Sequence, residues 1–122
     1  MTDVNQVARE FVNYYYGVFD KDRTQLQSLY QNQSTLTFEG LECKGIEAIV
    51  KKLVELPFQK VQHAITTIDA QNSFPNAIHI LVTGELKVDD EAVPHKFSQT
   101  FQLVQNGNSF YVHNDMFRLN YS

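Results

Sequence analysis

The first periodicity along the chain has a helical spacing. Val4, Val7, Ala8, Phe11, Val12, Tyr15, Val18 and Phe19 recur at intervals of three and four, which gathers them on one stripe of an amphipathic helix. Asp3 suits the N-cap, with Gln6 three positions later as in a capping box. Gly17 and the polar Asp20-Lys21-Asp22 stretch mark where this helix is expected to fray. A second, short helix is predicted from about Arg23 to Tyr30, capped by Asp22 and burying Leu26, Leu29 and Tyr30. A third is predicted over Gly45 to Glu55, with Ile46, Ile49, Val50 and Leu53 on one face. It ends ahead of Pro57, as the clash between a proline ring and the preceding residue requires.

The rest of the chain changes period from helix to strand. Ser34 to Glu39 alternates, with Leu36 and Phe38 on one side and Thr35, Thr37 and Glu39 on the other, and Leu41 to Lys44 is its short return. Longer strands are predicted at Val61 to Asp69 and Ala77 to Asp89; in the latter Ile78, Ile80, Val82, Gly84, Leu86 and Val88 share one face. Phe97 to Val104 and Phe110 to Tyr121 follow, separated by Asn106-Gly107-Asn108, a strong hairpin signal. Gly84, inside a strand, marks a bulge that bends the sheet. Helices first and an antiparallel meander afterwards give an α+β domain, with the helices on one face of a strongly curved, mostly antiparallel sheet. No repeat or linker divides residues 1–122, so a single domain is expected. Rings near strand ends, among them Phe38, Phe58, Phe110 and Phe117, either fill the core or line a pocket in a curled sheet.

Composition narrows the function classes. Hydrophobic residues make up 43% of 122 positions, enough for one core and too many for a disordered chain. A domain of this size buries a limited share of its surface, so an apolar face left over favours a dimer. The formal net charge is −4 and the basic residues are scattered, which argues against a nucleic-acid binder, whose basic stripe must neutralise phosphates. Cys43 is the single cysteine and excludes an intrachain disulfide. The N-terminus lacks the basic and apolar regions of a signal peptide, and no apolar run reaches membrane-spanning length. The sequons at Asn32 and Asn120 are therefore read as chance matches, and the expected location is the cytosol with access to the nucleus.

Candidate chemistry is sparse. Asp89-Asp90-Glu91 follows a strand; it is either a solvated loop or a docking patch for basic side chains, to which Glu39 can be added. Carboxylates at the rim of an apolar pocket suit a partner that inserts an aromatic ring flanked by Lys or Arg. His113 and Asp115, two apart, are expected on one strand face, and His63 and His79 lie on other strands. No metal-specific spacing links them, so a histidine hydrogen-bonded to a neighbouring carboxylate is the preferred reading. Tyr14, Tyr15, Tyr16 and Tyr30 offer hydroxyl donors for an isomerase-type site, but no residue stands out as the base. Cys43 beside Lys44 reads as a small hydrophobe. No nucleophile elbow, phosphate-cradling loop or dinucleotide fingerprint is present.

Four stretches carry a resemblance. NYYYGVFDKDRTQLQSL from Asn13 to Leu29, TLTFEG at 35–40, AIVKKLVELPFQKVQHAIT at 48–66 and NDMFRLNY at 114–121 occur in the order, and over nearly the whole span, of the nuclear transport factor 2 family. The resemblance implies a cone-shaped α+β half-barrel that dimerises through its sheets. It implies a non-enzymatic import carrier, without metal or organic cofactor, acting in cytoplasm and nucleus and concentrated at the nuclear pore. The implied partners are GDP-bound Ran, which inserts a phenylalanine into the pocket, and the phenylalanine-glycine repeats of nucleoporins. Carried over by position, Glu39, Asp89 and Glu91 form the acidic rim, and Phe38, Leu56, Val61, Met116 and Phe117 line the pocket. Phe38 stands where animal members have tryptophan, Glu91 where members often have Asp, and an extra residue falls between Glu91 and Phe97. Where members commonly place an aromatic for repeat binding, only Val4 and Val7 are available, so weaker repeat binding is expected. The competing readings are a small-molecule enzyme, isomerase or dehydratase-like, in the same pocket, and a generic dimeric interaction domain of the kind appended to longer proteins, disfavoured because the chain is expected to have no segment beyond the fold.

Overall fold

The structure is a computed structural model describing residues 3–57 and 60–120; Phe58 and Tyr121, both part of predicted features, lie outside the described residues. Helix α1 spans Val4–Lys21 and buries Ala8, Val12, Tyr15, Tyr16 and Phe19. The Asp3 carboxylate accepts the Asn5 N–H at 2.9 Å. The expected capping box does not form, because Gln6 turns along the helix to Glu10 instead. Nor does the helix fray at Gly17: Tyr16 and Phe19 on either side of it are buried and hold the last turn against the sheet. Asp22 then accepts from both the N–H and the hydroxyl of Thr24, opening a short 3-10 helix, Arg23–Leu29. Helix α2 spans Ile46–Val54 and buries Ile49 and Leu53.

Six strands follow the predicted pattern: β1 Tyr30–Phe38, β2 Leu41–Lys44, β3 Val61–Asn72, β4 Ala77–Val88, β5 His95–Asn106 and β6 Ser109–Leu119. They form one sheet in the order β2-β1-β6-β5-β4-β3. Every pairing is antiparallel except β1 with β6, and the sheet stays open with β2 and β3 at its edges. The inward residues of β4, namely Ile78, Ile80, Val82, Leu86 and Val88, are buried as the alternation predicts. They pack with Tyr15, Leu26, Phe97 and Phe101 into a core between helices and sheet.

The register shifts in three of the strand pairings among the described residues, between Tyr30 and Thr35 of β1 against β6 and at two bulges that bear on the site. Opposite Gly84, β3 carries one extra residue, Thr66, so the bulge expected at Gly84 falls on its partner strand. Gly84 is what lets the strands close there. A Cβ at that position would strike the Ala64 carbonyl oxygen and come within 3.2 Å of Ile65 Cα and the Phe97 ring. The second bulge inserts His113 into β6 between Val112, paired with Leu103, and Asn114, paired with Gln102. The β5–β6 hairpin closes through Gly107-Asn108 with Gly107 at φ 65°, the positive-φ pattern of a type II′ turn.

Candidate functional site

The ends of β1, β4 and β6 and the starts of β3 and β5 meet at one end of the sheet, and the predicted rim and pocket residues concentrate there. Phe38 closes β1 in register with Phe117. Their rings stack at 4.7 Å and 10°, and Phe117 continues the stack onto Phe97 at 5.6 Å. Behind them lies a narrow cavity of about 20 Å³ whose walls include Tyr15, Leu36, Phe38, Leu53, Val61 and Phe117. Lys52 of α2 sets its ammonium 5.5 Å from the centre of the Phe38 ring.

Two turns bring acids to this end. Between β1 and β2, Glu39 and Gly40 both have positive φ, 52° and 88°, as a two-residue type I′ hairpin demands. Glu39 donates its N–H to the Phe117 carbonyl at 3.0 Å, and its carboxylate accepts the Leu119 N–H at 2.5 Å, so the side chain is fixed to the end of β6. After β4, Asp89 also has positive φ, 50°. It exchanges two hydrogen bonds with Lys60: its N–H to the Lys60 carbonyl at 2.7 Å, and the Lys60 N–H to its carboxylate at 3.0 Å. Partial burial lowers the pKa of Arg23, and the charge of Asp89 opposes that shift. Glu91 meets the His95 imidazole at 2.8 Å. Asp89, Asp90 and Glu91 line a groove of about 880 Å³ together with Asp20, Lys60 and Val61. Val61 is common to groove and cavity, so the two are neighbours. Left-handed backbone is disfavoured for residues with a Cβ, yet two of the three non-glycine residues with positive φ among those described are the rim acids Glu39 and Asp89.

Two of the predicted pocket residues sit elsewhere. Met116 points away from the cavity and is 53% exposed, because strand alternation that turns Phe117 inward turns its neighbour outward. Leu56 is buried just after α2, but Leu53, one turn earlier, is the residue that reaches the cavity wall. Phe38, Val61 and Phe117 line it.

The sequence underrated the polar core behind the cavity. Asp115 is buried and accepts from Tyr30 Oη and Gln99 Nε2, each at 2.7 Å, and from Tyr15 Oη at 3.3 Å. The Tyr15 and Tyr30 hydroxyls are themselves 2.7 Å apart, and Tyr16 donates to Gln99 Oε1 at 2.5 Å. Burial pushes Asp115 up from 3.8 to about 6, against the opposing pull of the Gln99, Tyr30 and Tyr15 hydrogen bonds. Burial, followed by the charge of Asp115, drives Tyr15 and Tyr30 well above the ordinary tyrosine value. A carboxylate among hydroxyls is acid–base equipment, but both carboxylate oxygens are engaged and Asp115 is not on the cavity wall. The expectation that His113 shares its face fails because the bulge at His113 breaks the two-residue alternation; His113 lies beside Tyr111 instead. Of the three histidines singled out in the sequence, His63, His79 and His113, the one held by a carboxylate is His63. Its ring Nδ1 meets Asp20 Oδ1 at 2.6 Å and its N–H donates to Asp20 Oδ2 at 3.0 Å, while Tyr16, Phe19 and Phe97 pack around the imidazole. No cluster of three metal-ligating side chains occurs among the described residues, and no helix among them is long and apolar enough to cross a membrane.

Val4 and Val7 lie at the opposite end of the sheet. They border a groove of about 470 Å³ shared with Phe74, Pro75, Ile78 and Phe110. Phe74 is 78% exposed on the β3–β4 connection. Its signal in the sequence is a large aromatic inside the turn-forming run Asn72-Ser73-Phe74-Pro75-Asn76.

Known proteins are similar to this chain in sequence and fold. The profile of the Nuclear transport factor 2 (NTF2) domain matches residues 7–119. Nuclear transport factor 2 of Debaryomyces hansenii is 58% identical over 121 residues, covering 98% of this chain and 98% of that protein. The protein of the same name from Saccharomyces cerevisiae is 54% identical over 121 residues, 98% of this chain and 97% of its own. Among solved structures, nuclear transport factor 2 from Cryptosporidium parvum superposes with a TM-score of 0.91 at 43% identity, over 96% of this chain and 94% of that one.

Proposed function

The chain belongs to the nuclear transport factor 2 family and serves as a nuclear transport carrier, and on that premise we propose that its cargo is Ran in the GDP-bound form. The observation that carries this reading is an aromatic pair, Phe38 and Phe117, with two anchored carboxylates at the same end of the sheet: Glu39 tied to the end of β6 and Asp89 tied to the start of β3. A ring entering near such acids gains affinity from desolvation, and basic residues beside it gain orientation and association rate from the charges. Glu39 and Asp89 are held in place before binding, so little side-chain entropy is lost in the complex. Glu91, exposed and paired with His95, is the outer member of the rim.

Nucleoporin phenylalanine-glycine repeats dock, on this reading, at the other end of the sheet, in the groove of Val4 and Val7. Phe74 and Phe110 supply there the aromatic surface that the N-terminus lacks. Cargo and pore contacts are then separated by the length of the strands and do not compete. The homodimer forms through the outer sheet face, where Leu81, Thr100 and Met116 are register partners in one row across β4, β5 and β6. The exposed Leu81 and Met116 become its apolar contacts. The relatives are named as transport factors, and we assign the chain no catalytic step. Its working locations are the cytoplasm, the nuclear pore and the nucleus.

Calorimetric titration with Ran tests the cargo. Binding to Ran loaded with GDP, and none to Ran loaded with a non-hydrolysable GTP analogue, is the expected result. Equal binding to both forms, or to neither, would overturn the assignment.

A further inference from the structure

The cavity behind Phe38 is too small for the ring that the proposed cargo would insert. Its volume of about 20 Å³ holds roughly one water molecule, so a phenyl ring enters only if a wall moves. Tyr15, Leu36, Leu53, Leu86 and Phe117 in that wall are all buried, whereas Phe38 is partly exposed. Phe38 is also the last residue of β1, and the next two residues are the positive-φ turn Glu39-Gly40. The stack on Phe117 and the ammonium of Lys52 help hold its ring over the cavity.

We infer that Phe38 is a gate, closed in this structure and latched by Lys52, which swings aside so that a partner's aromatic side chain takes its place against Phe117. The identity of the guest rests on the carrier reading; the gate itself does not. The position that Phe38 vacates faces a flat ring already stacked on Phe97, so it favours an aromatic guest over an aliphatic one of similar volume. A cation over a ring at a partly exposed site contributes modestly. Removing the charge of Lys52 therefore raises the open population, and with it the affinity for any ring that needs the gate open, by about two- to fivefold.

The test is a toluene titration of the full chain followed through the Leu36, Leu53 and Leu86 methyl resonances, in wild type, Lys52→Gln and Phe38→Ala. Gln keeps the helix propensity of Lys, and Phe38 is a partly buried residue at a strand end, packed on the margin of the core, so both variants are expected to fold. Phe38→Ala should bind toluene tightest, and Lys52→Gln about two- to fivefold tighter than wild type, with methylcyclohexane weaker throughout. Equal toluene affinity in all three proteins would overturn the gate, as would a response confined to methyls away from the cavity. The same proteins titrated with GDP-loaded Ran separate the two ideas. Toluene affinities in the expected order without Ran binding would keep the gate and refute the cargo; Ran binding with equal toluene affinities would do the reverse.

Discussion

Asp115 makes stability depend on pH in the direction opposite to most carboxylates. Its pKa is raised from 3.8 to about 6 in the folded chain, so between those values the folded protein holds a proton that the unfolded chain has released. Stability attributable to this group is full below pH 3.8, declines as pH rises, and is lost by about pH 6 and above. A shift of about two units corresponds to ~3 kcal/mol at 1.36 kcal/mol per unit. Asp115→Asn removes the titrating group while preserving its shape. Urea unfolding of wild type and variant, at one protein concentration and at intervals from pH 3.5 to 7.5, isolates the effect, because all other carboxylates cancel in the difference. The stability of the variant relative to wild type is expected to climb by ~3 kcal/mol between pH 3.8 and about 6 and to be flat above that. The absolute offset also contains the rearranged hydrogen bonds to Gln99, Tyr15 and Tyr30, so the slope is the diagnostic. Parallel curves for the two proteins would refute the reasoning and mean that the three hydrogen-bond donors offset burial.

Other predictions are simpler to read. Gly84→Ala should destabilise the fold by about 1–3 kcal/mol, the usual cost of overpacking, in thermal or urea unfolding, since its Cβ meets the Ala64 carbonyl; an unchanged midpoint would mean that the bulge yields freely. Asp89→Asn should keep or slightly raise the melting temperature, because Asn tolerates left-handed backbone and its oxygen still accepts the Lys60 N–H, yet should weaken GDP-Ran binding measured by calorimetry; loss of both together would make Asp89 a folding residue rather than a docking one. Phe74→Ala should reduce affinity for a phenylalanine-glycine peptide by about tenfold, the loss of roughly 1.4 kcal/mol of aromatic contact, with Ran binding intact; equal peptide affinity would move the repeat site off this groove.

Periodicity made the helices, the strands and the inward face of β4 legible, because burial on one side leaves a repeat of 3.6 or 2 in the apolar positions. It failed where the chain departs from a perfect repeat. His113 is one inserted residue in β6, and that single residue separated two side chains whose spacing predicted a shared face. Met116 was assigned to the pocket by resemblance, although its adjacency to Phe117 within one strand already placed the two on opposite sides. The partnership of Asp20 with His63 joins a helix end to a strand start 43 positions later, and the Asp115 network joins α1, β1, β5 and β6; such contacts leave no local spacing to read. The left-handed backbone of Glu39 was not legible, since Glu is an unusual choice for that turn position.

The Asp20 carboxylate has a consequence for how copies of this protein coexist at high concentration. β3 is a twelve-residue edge strand, and an open edge of that length is a template for a strand from another molecule. At its start Asp20 already accepts the His63 N–H, placing a negative charge where an incoming strand would seek a donor. Three residues later the bulge at Thr66 breaks the even spacing that a continuous ladder requires. At the other edge β2 has only four residues to offer. The sheet is thus defended against fibrous growth at both ends, and the Asp20 carboxylate that fixes a buried imidazole is part of that defence.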